Sequence, residues 1–386
     1  MKTFNLLLII FLCCYCGNNN QVADSIDVLS SPDGEIENLS MITTTIDYVP
    51  LQTDQKILIN RINTLKAKGD FLYVKESKRI LCFDFKGKYL FCLDRVGRGP
   101  GEYQFIHDFD VNYNNTKLTV LSSKEILIYN QTSDGFKFDR KLQMGSSPWR
   151  INFTDESNSI LLQYSNADGT RIFSYELINY DGTRLSAWPN YLKFISVDGF
   201  ITTNAYETSS YIQGNKLFLK ELQNDTLFCL TDSMKLSPVL VFNTGEMRLT
   251  PEARSNGKHY FDNPYEYLTI PEIFSSERYL YYSFSYKKLG PGNKIILDRQ
   301  SGKKFVIPKK EGLTDDISGG ISFKPQYCYN GIFFSWIEAN ALKNYLSSDA
   351  FKLSVVTNPN KKEELKRLAD SITESDNPVL IMAKIK

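Results

Sequence analysis

The chain contains two histidines, His107 and His259, so proton transfer near neutral pH would rest on one of these two imidazoles. His107 stands directly before Asp108, and Asp110 follows two residues later. An imidazole with carboxylate neighbours is the combination acid–base catalysis uses. The competing reading is a polar, hydrated lining with no chemistry of its own, and the residues favour it. Just upstream, Arg95, Arg98 and Glu102 are spread along a frame of Gly97, Gly99, Pro100 and Gly101 that ends at Tyr103. Guanidinium groups and free backbone amides on such a frame could receive a carboxylate or a sugar hydroxyl. A rigid passage between two strands needs the same glycines and proline without any ligand, and this reading is preferred. A phosphate loop is excluded, because the Gly-Lys-Ser/Thr ending and the following helix are missing.

Trp149 follows Gly145-Ser146-Ser147-Pro148 and is the most loop-like tryptophan beside Trp188 and Trp336. Its face could stack on a sugar ring or a peptide side chain. Residues 243–267 form a long polar and aromatic segment carrying His259, Tyr260, Asp262 and Tyr265, a candidate lid or specificity loop. Asp315 and Asp316 precede Gly319 and Gly320, but calcium takes about six to eight oxygen ligands, so a connecting turn is expected. No metal and no cofactor are expected: two histidines are too few for a His-rich site, and Cys-x-x-Cys spacing is absent.

These groups need elements to hold them, and composition narrows which. The 386 residues carry 45 Lys and Arg against 44 Asp and Glu, a net charge of +1, which argues against a nucleic-acid surface or an acidic tail. Tyr and Phe are abundant, at 23 and 25 against three Trp, which suits strands. The seven cysteines divide by position. Cys13, Cys14 and Cys16 close an N-terminal stretch of Met1-Lys2 and the apolar run 4–12. A positive start, a short apolar run and then polar residues read as an export signal, too short to span a bilayer once mature. Residues 1–16 are accordingly read as a lipoprotein signal peptide with Cys16 lipidated; Cys14 is the alternative, and an ordinary cleaved signal is the simpler reading. Residues 17–40 are polar and turn-rich, as a tether between membrane and domain would be. In the body, Cys82 and Cys92 flank a turn and could face each other, but buried free thiols are favoured for these and for Cys229 and Cys328.

From residue 41 the pattern is one of short β-rich runs. Runs at 62–66, 71–75, 79–84 and 89–93 make one small antiparallel sheet that cannot bury both faces alone. The unit recurs at 109–111, 117–121, 126–129 and 136–142, and again at 150–153, 160–164, 173–178 and 183–188. A longer, irregular fourth copy holds 200–203, 206–212, 216–220, 227–230 and 238–242; a fifth holds 270–275, 279–286, 294–297 and 304–308. Runs 320–323, 327–336 and 378–385 leave a sixth sheet that 41–51 would complete, pairing near 379–384 as a clasp. Outer turns echo one another in Asp84 to Lys88, Tyr180 to Thr183 and Asp298 to Lys303. The expected fold is therefore all-β: residues 41–386 form a six-bladed β-propeller, with short C-terminal helices near 340–346 and 361–375 inserted in the last blade. Two consecutive β-sandwiches are the alternative.

The segment Val96-Gly97-Arg98-Gly99-Pro100-Gly101-Glu102-Tyr103, after a first sheet ending in Tyr89-Leu90-Phe91, resembles the Gly-x-Gly-Pro-Gly-Glu-Tyr loop of six-bladed β-propeller lipoproteins from Bacteroidetes-type bacteria, loosely related to NHL-repeat propellers. Residues 221–228, 315–320 and 374–381 match in the same order, so the likeness runs from about Tyr48 to the C-terminus. The resemblance implies a propeller fold and a cell-envelope location, as an outer-membrane lipoprotein facing the periplasm or the surface. It carries over no catalytic residue.

Two functions follow. The first is an envelope-anchored binding or interaction module whose loop face holds a glycan, a peptide or an envelope protein, with no nucleic acid and with membrane contact only through the lipid. Its candidate ligand-binding residues are Arg95, Arg98, Glu102, Tyr103, His107, Asp108, Trp149 and His259. The second is a carbohydrate-acting hydrolase or lyase using channel carboxylates with His107 or His259. Carboxylates of raised pKa clustered at the channel mouth would favour the enzyme, and an aromatic-rich loop face would favour binding.

Overall fold

The computed structural model describes residues 23–154, 159–286, 289–309 and 312–386. The signal segment, with Cys14 and Cys16, lies outside the described residues.

The middle strands of the sheets show why the chain folds as a ring. Arg79–Asp84 (RILCFD) is apolar on both faces. Leu81 and Phe83 enter one apolar cluster and Ile80 and Cys82 another. Adjacent residues of a strand point to opposite sides, so a strand apolar on both needs a partner sheet on each. Blade one consists of Thr64–Lys68, Phe71–Glu76, Arg79–Asp84 and Tyr89–Leu93. Blade two holds Asp108–Val111, Lys117–Ser122, Glu125–Thr132 and Gly135–Gln143. Blade three holds Arg150–Phe153, Ile160–Gln163, Phe173–Ile178 and Arg184–Pro189. Blade four runs Thr208–Gln213, Lys216–Glu221, Thr226–Leu230 and Leu236–Asn243. Blade five runs Ile273–Ser275, Tyr279–Tyr286, Gly290–Asp298 and Lys304–Ile307. Blade six comprises Tyr327–Tyr329, Ile332–Ile337 and Val379–Ile385, with β3 (Thr43–Pro50) as its outermost strand. The core is a set of apolar wedges between neighbouring sheets, so each blade is stabilised from both sides.

The expected clasp is present: β3 pairs antiparallel with Val379–Ile385, Tyr48 facing Ile381. The outer turns follow the expected chemistry. Asp84 Oδ1 accepts from the amides of Lys86 and Lys88, both at 2.9 Å, and Asn179 and Asp298 do the same work in blades three and five.

Three local expectations change. Residues 327–336, read as one strand, fold into a hairpin at Asn330-Gly331, both with positive φ, as a tight two-residue turn requires. Residues 200–203 form no strand, and Phe323 makes a single bridge to Leu313 in place of a strand. The thiols of Cys82 and Cys92 are free, as expected, Cys82 buried and Cys92 half-buried; Cys82 pairs with Phe91 and Cys92 with Leu81, so the two side chains leave opposite faces of the sheet. Helices Ala339–Ser347 (α3), Asp349–Leu353 (α4) and Pro359–Ser371 (α5) are all inserted between two strands of blade six, as expected.

The third change concerns residues 24–40, expected as part of a tether. β1 (Asp24–Asp27) pairs in parallel with the outer strand of blade four, and β2 (Gly34–Glu35) with the outer strand of blade five. Leu39 then donates to Thr314 O at 2.9 Å, and Ser40 to the carboxylate of Asp316. The segment is a strap along the rim. Ile26, Val28, Ile36, Leu39 and Ile42 are buried in the core shared by blades four to six. Lys304 fixes its bend by donating to the carbonyls of Asp27 and Ser30 at 2.6 and 2.8 Å. Blades four and five thus have five strands, and blades one to three have four.

Candidate functional site: the channel mouth and its connections

The innermost strands all run in the same sense, so the segments leading from each outer strand to the next inner strand emerge at one end of the ring. Residues 51–63, 94–107, 144–149, 190–207, 244–272 and 308–326 are these segments. This end, the connection face, therefore gathers Arg95, Arg98, Glu102, Tyr103, His107, Trp149 and His259, with Asp108 the first residue of the inner strand that follows.

An innermost strand has one edge with no ladder partner, and its polar groups must be satisfied otherwise. Side chains satisfy them across all six junctions. Lys66 donates to Phe109 O. Asp108 and Asp110 accept from the amides of Ile151 (3.0 Å) and Phe153 (2.7 Å). Arg150 donates to Thr208 O at 2.9 Å, and Ser209 to Pro271 O at 2.7 Å. Cys328 Sγ donates to Ser275 O at 3.3 Å. The amides of Ala67 and Gly69 donate to the phenols of Tyr327 and Tyr329.

This fixes the chemistry of the two carboxylates beside His107. Burial would raise Asp108, but Lys66 at 3.4 Å, Arg150 and the Ile151 amide outweigh it and hold the carboxyl below its ordinary value. Asp108 is therefore an ionised acceptor. His107 is shifted down, first by burial and then by Lys75 and Arg150, against the pull of Asp108. Its ring stands edge-on to the Trp149 indole, 4.8 Å between centroids, and leans on the Trp149 main chain. Lys75 reaches the His107 carbonyl at 3.4 Å. The mouth thus joins a neutral imidazole and an indole to the cations Lys66, Lys75 and Arg150. Sequence reasoning missed these three cations; the usable signal was a Lys or Arg within a strand otherwise read as core.

The glycine-rich loop is closed on itself. Glu102 Oε2 accepts from the Gly99 amide at 2.8 Å, and a Cβ on Gly97 would lie 1.9 Å from that oxygen. Gly101, at φ +73°, passes so close to Phe138 that a Cβ would sit 2.4 Å from its ring. Tyr103 is buried, its phenol 3.3 Å from both Leu93 O and the Arg95 amide. Arg95 and Arg98 stay exposed on the outside of the loop.

His259 lies in the segment between blades four and five, which holds α1 (Pro251–Ser255) and α2 (Gly257–Asp262). Its Nε2 is 2.7 Å from Glu266 of the same segment. Arg254 anchors the segment: its guanidinium is fully buried, pairs with Glu207, donates to Thr202 O at 2.8 Å and lies over Tyr260. Residues 191–201 pack against it, with Val197 N donating to Ser255 O and Phe200 edge-on to Phe261 at 5.6 Å. The two connections together leave Tyr191, Ile195, Val197, Ile201 and Phe261 outward, each more than half exposed. Trp188 and Trp336, by contrast, pack against inter-blade clusters. Asp315 is a turn hub accepting from the amides of Ile317, Ser318 and Gly320 and from the Tyr48 phenol. Among the described residues no group of His, Cys, Asp and Glu is arranged to hold a metal, and no helix is long and apolar enough to cross a membrane.

Six radial sheets, a clasp built by the N-terminal strand and a polar channel define a six-bladed β-propeller. The chain belongs to the family described as a domain of unknown function, DUF4934, which matches residues 23–384. That span begins where the strap begins. No curated protein matches the sequence. Among solved structures, the chain is similar to a protein of Bacteroides fragilis NCTC 9343 inferred to be exported, with 16% identity, a TM-score of 0.68 and coverage of 94% of this chain and 99% of that one. It is also similar to a member of the DUF4221 family from Bacteroides vulgatus ATCC 8482, with 12% identity, a TM-score of 0.54 and coverage of 92% and 99%. At such identities the likeness is one of fold.

Proposed function

We propose that the protein is an exported binding module, anchored to the cell envelope through a lipid on Cys16, whose connection face receives a polypeptide partner. The observation that carries the reading is the outward apolar set of Tyr191, Ile195, Val197, Ile201 and Phe261. Five largely exposed apolar side chains on two connections packed together mark an interaction site, and branched aliphatic side chains suit a protein surface better than a sugar ring. The rival hydrolase needs a carboxyl held protonated, and Asp108 is held the other way. The free Cys16 amine and thiol would carry the acyl chains, and residues 17–23 would be the whole tether. The test compares wild type with an Ile195→Ser/Phe261→Ser variant of unchanged thermal midpoint, by cross-linking in the native envelope and identifying the adduct. One defined adduct lost in the variant supports the reading, and identical adducts refute it. Palmitate labelling abolished by Cys16→Ser supports the anchor, and labelling that persists rejects it.

A further inference from the structure

The wedge between blades two and three is closed by apolar contacts that run from Ile151 and Leu162 near the axis to Leu142 and Ile178 toward the rim. Farther out a groove of about 430 Å³ follows the strand Phe173–Ile178, lined by Met144 of blade two and by Tyr164, Arg171, Phe173, Glu176 and Arg184 of blade three. Small-molecule sites have volumes of roughly 300–1,000 Å³. Its polar groups are organised, with Tyr164 and Glu176 buried and Arg184 open to solvent. Glu176 accepts from the Tyr164 hydroxyl at 2.5 Å, and its other oxygen pairs with Arg184. The Arg184 guanidinium lies over the Phe173 ring, 4.9 Å from its centroid, so it is held by a charge below and a ring face beside it. Burial, and then the Glu176 bond, push the Tyr164 phenol up, which keeps it a neutral donor.

Arg171 completes the set. Its Nε is sealed from solvent and has no hydrogen-bond partner among the described residues. A buried, unsatisfied donor on a charged group is costly, and the guanidinium fork matches a carboxylate in two parallel bonds. Two guanidinium groups against one carboxylate leave the groove with one positive charge.

We propose that this groove binds a small ligand through a single carboxylate, received by Arg171 and Arg184, with a ring or apolar body against Phe173 and Met144. A carboxylate-bearing sugar has this chemistry. A phosphate, carrying about two charges, overmatches the groove. The groove borders the connection face, Asn190 donating to Ile172 O at 2.9 Å, but none of the five outward apolar side chains lines it, so either reading can fail without the other.

The test is calorimetric titration of the purified full chain with sodium glucuronate, glucose and inorganic phosphate. Glucuronate should bind, glucose should not, phosphate should bind more weakly, and added salt should weaken glucuronate binding. Arg171→Gln should lower glucuronate affinity by about ten-fold or more with the thermal midpoint retained. Arg171→Lys, which keeps the charge and loses the fork, should fall between the two and serves if the Gln variant does not fold. Equal binding of glucuronate and glucose, phosphate binding tighter than glucuronate, undiminished affinity in the folded Arg171 variants, or no glucuronate binding overturns the proposal.

Discussion

At Asp108 a sequence suggestive of catalysis meets a structural demand. The unpaired edge of the next inner strand needs an acceptor, and Asp108 supplies it while Lys66 balances the charge. Asp108→Asn should therefore destabilise the fold by about 1–3 kcal/mol, read by urea unfolding at neutral pH. The sign with pH follows. A carboxyl held below its unfolded value contributes stability that is full above the unfolded pKa of about 3.9 and is lost as pH falls through the folded one. The Asn variant should lose the part of the acid slope due to Asp108, and an unchanged slope would contradict this role. His107 should titrate by NMR below the usual value of about 6.5, and Lys75→Gln should move it upward. A titration indifferent to Lys75 would remove that lysine from the mouth. The adjacency of His107, Asp108 and Trp149 was readable from types and positions. The partners that decide their chemistry were not, because Lys66, Lys75 and Arg150 come from other strands and meet them only once the ring exists.

Among the elements, the repeated four-strand units were legible, since turn chemistry at Asp84, Asn179 and Asp298 punctuates them and middle strands are apolar on both faces. The strap was not. Its anchors Ile26, Val28, Ile36 and Leu39 are few and widely spaced, and the polar residues between them read as a tether. Short parallel pairing to a rim leaves no periodic trace. Leu39 is fully buried, so Leu39→Ala should cost about 2–5 kcal/mol by chemical unfolding, whereas a true tether residue would cost nothing measurable. Lys304→Met should free the strap bend, seen as new proteolytic cleavage near Ser30 with the blades still intact.

For the whole molecule, closure joins the two ends of the described chain. Deleting residues through Pro50 strips the outer strand of blade six and the fifth strands of blades four and five. The product should lose its single cooperative unfolding transition, a result readable by calorimetry. A ring that still melted in one sharp step would show that closure does not depend on β3.

The closure also sets an order in time. The strap aside, β3 is made before every other strand of the six blades, and its partner Val379–Ile385 after all of them. The strap likewise waits for blades four and five. Contacts spanning nearly the entire sequence form slowly, because the loop they close must be ordered first. The growing chain therefore holds β3 in reserve, its ladder edge unpaired, until the last strand of blade six arrives.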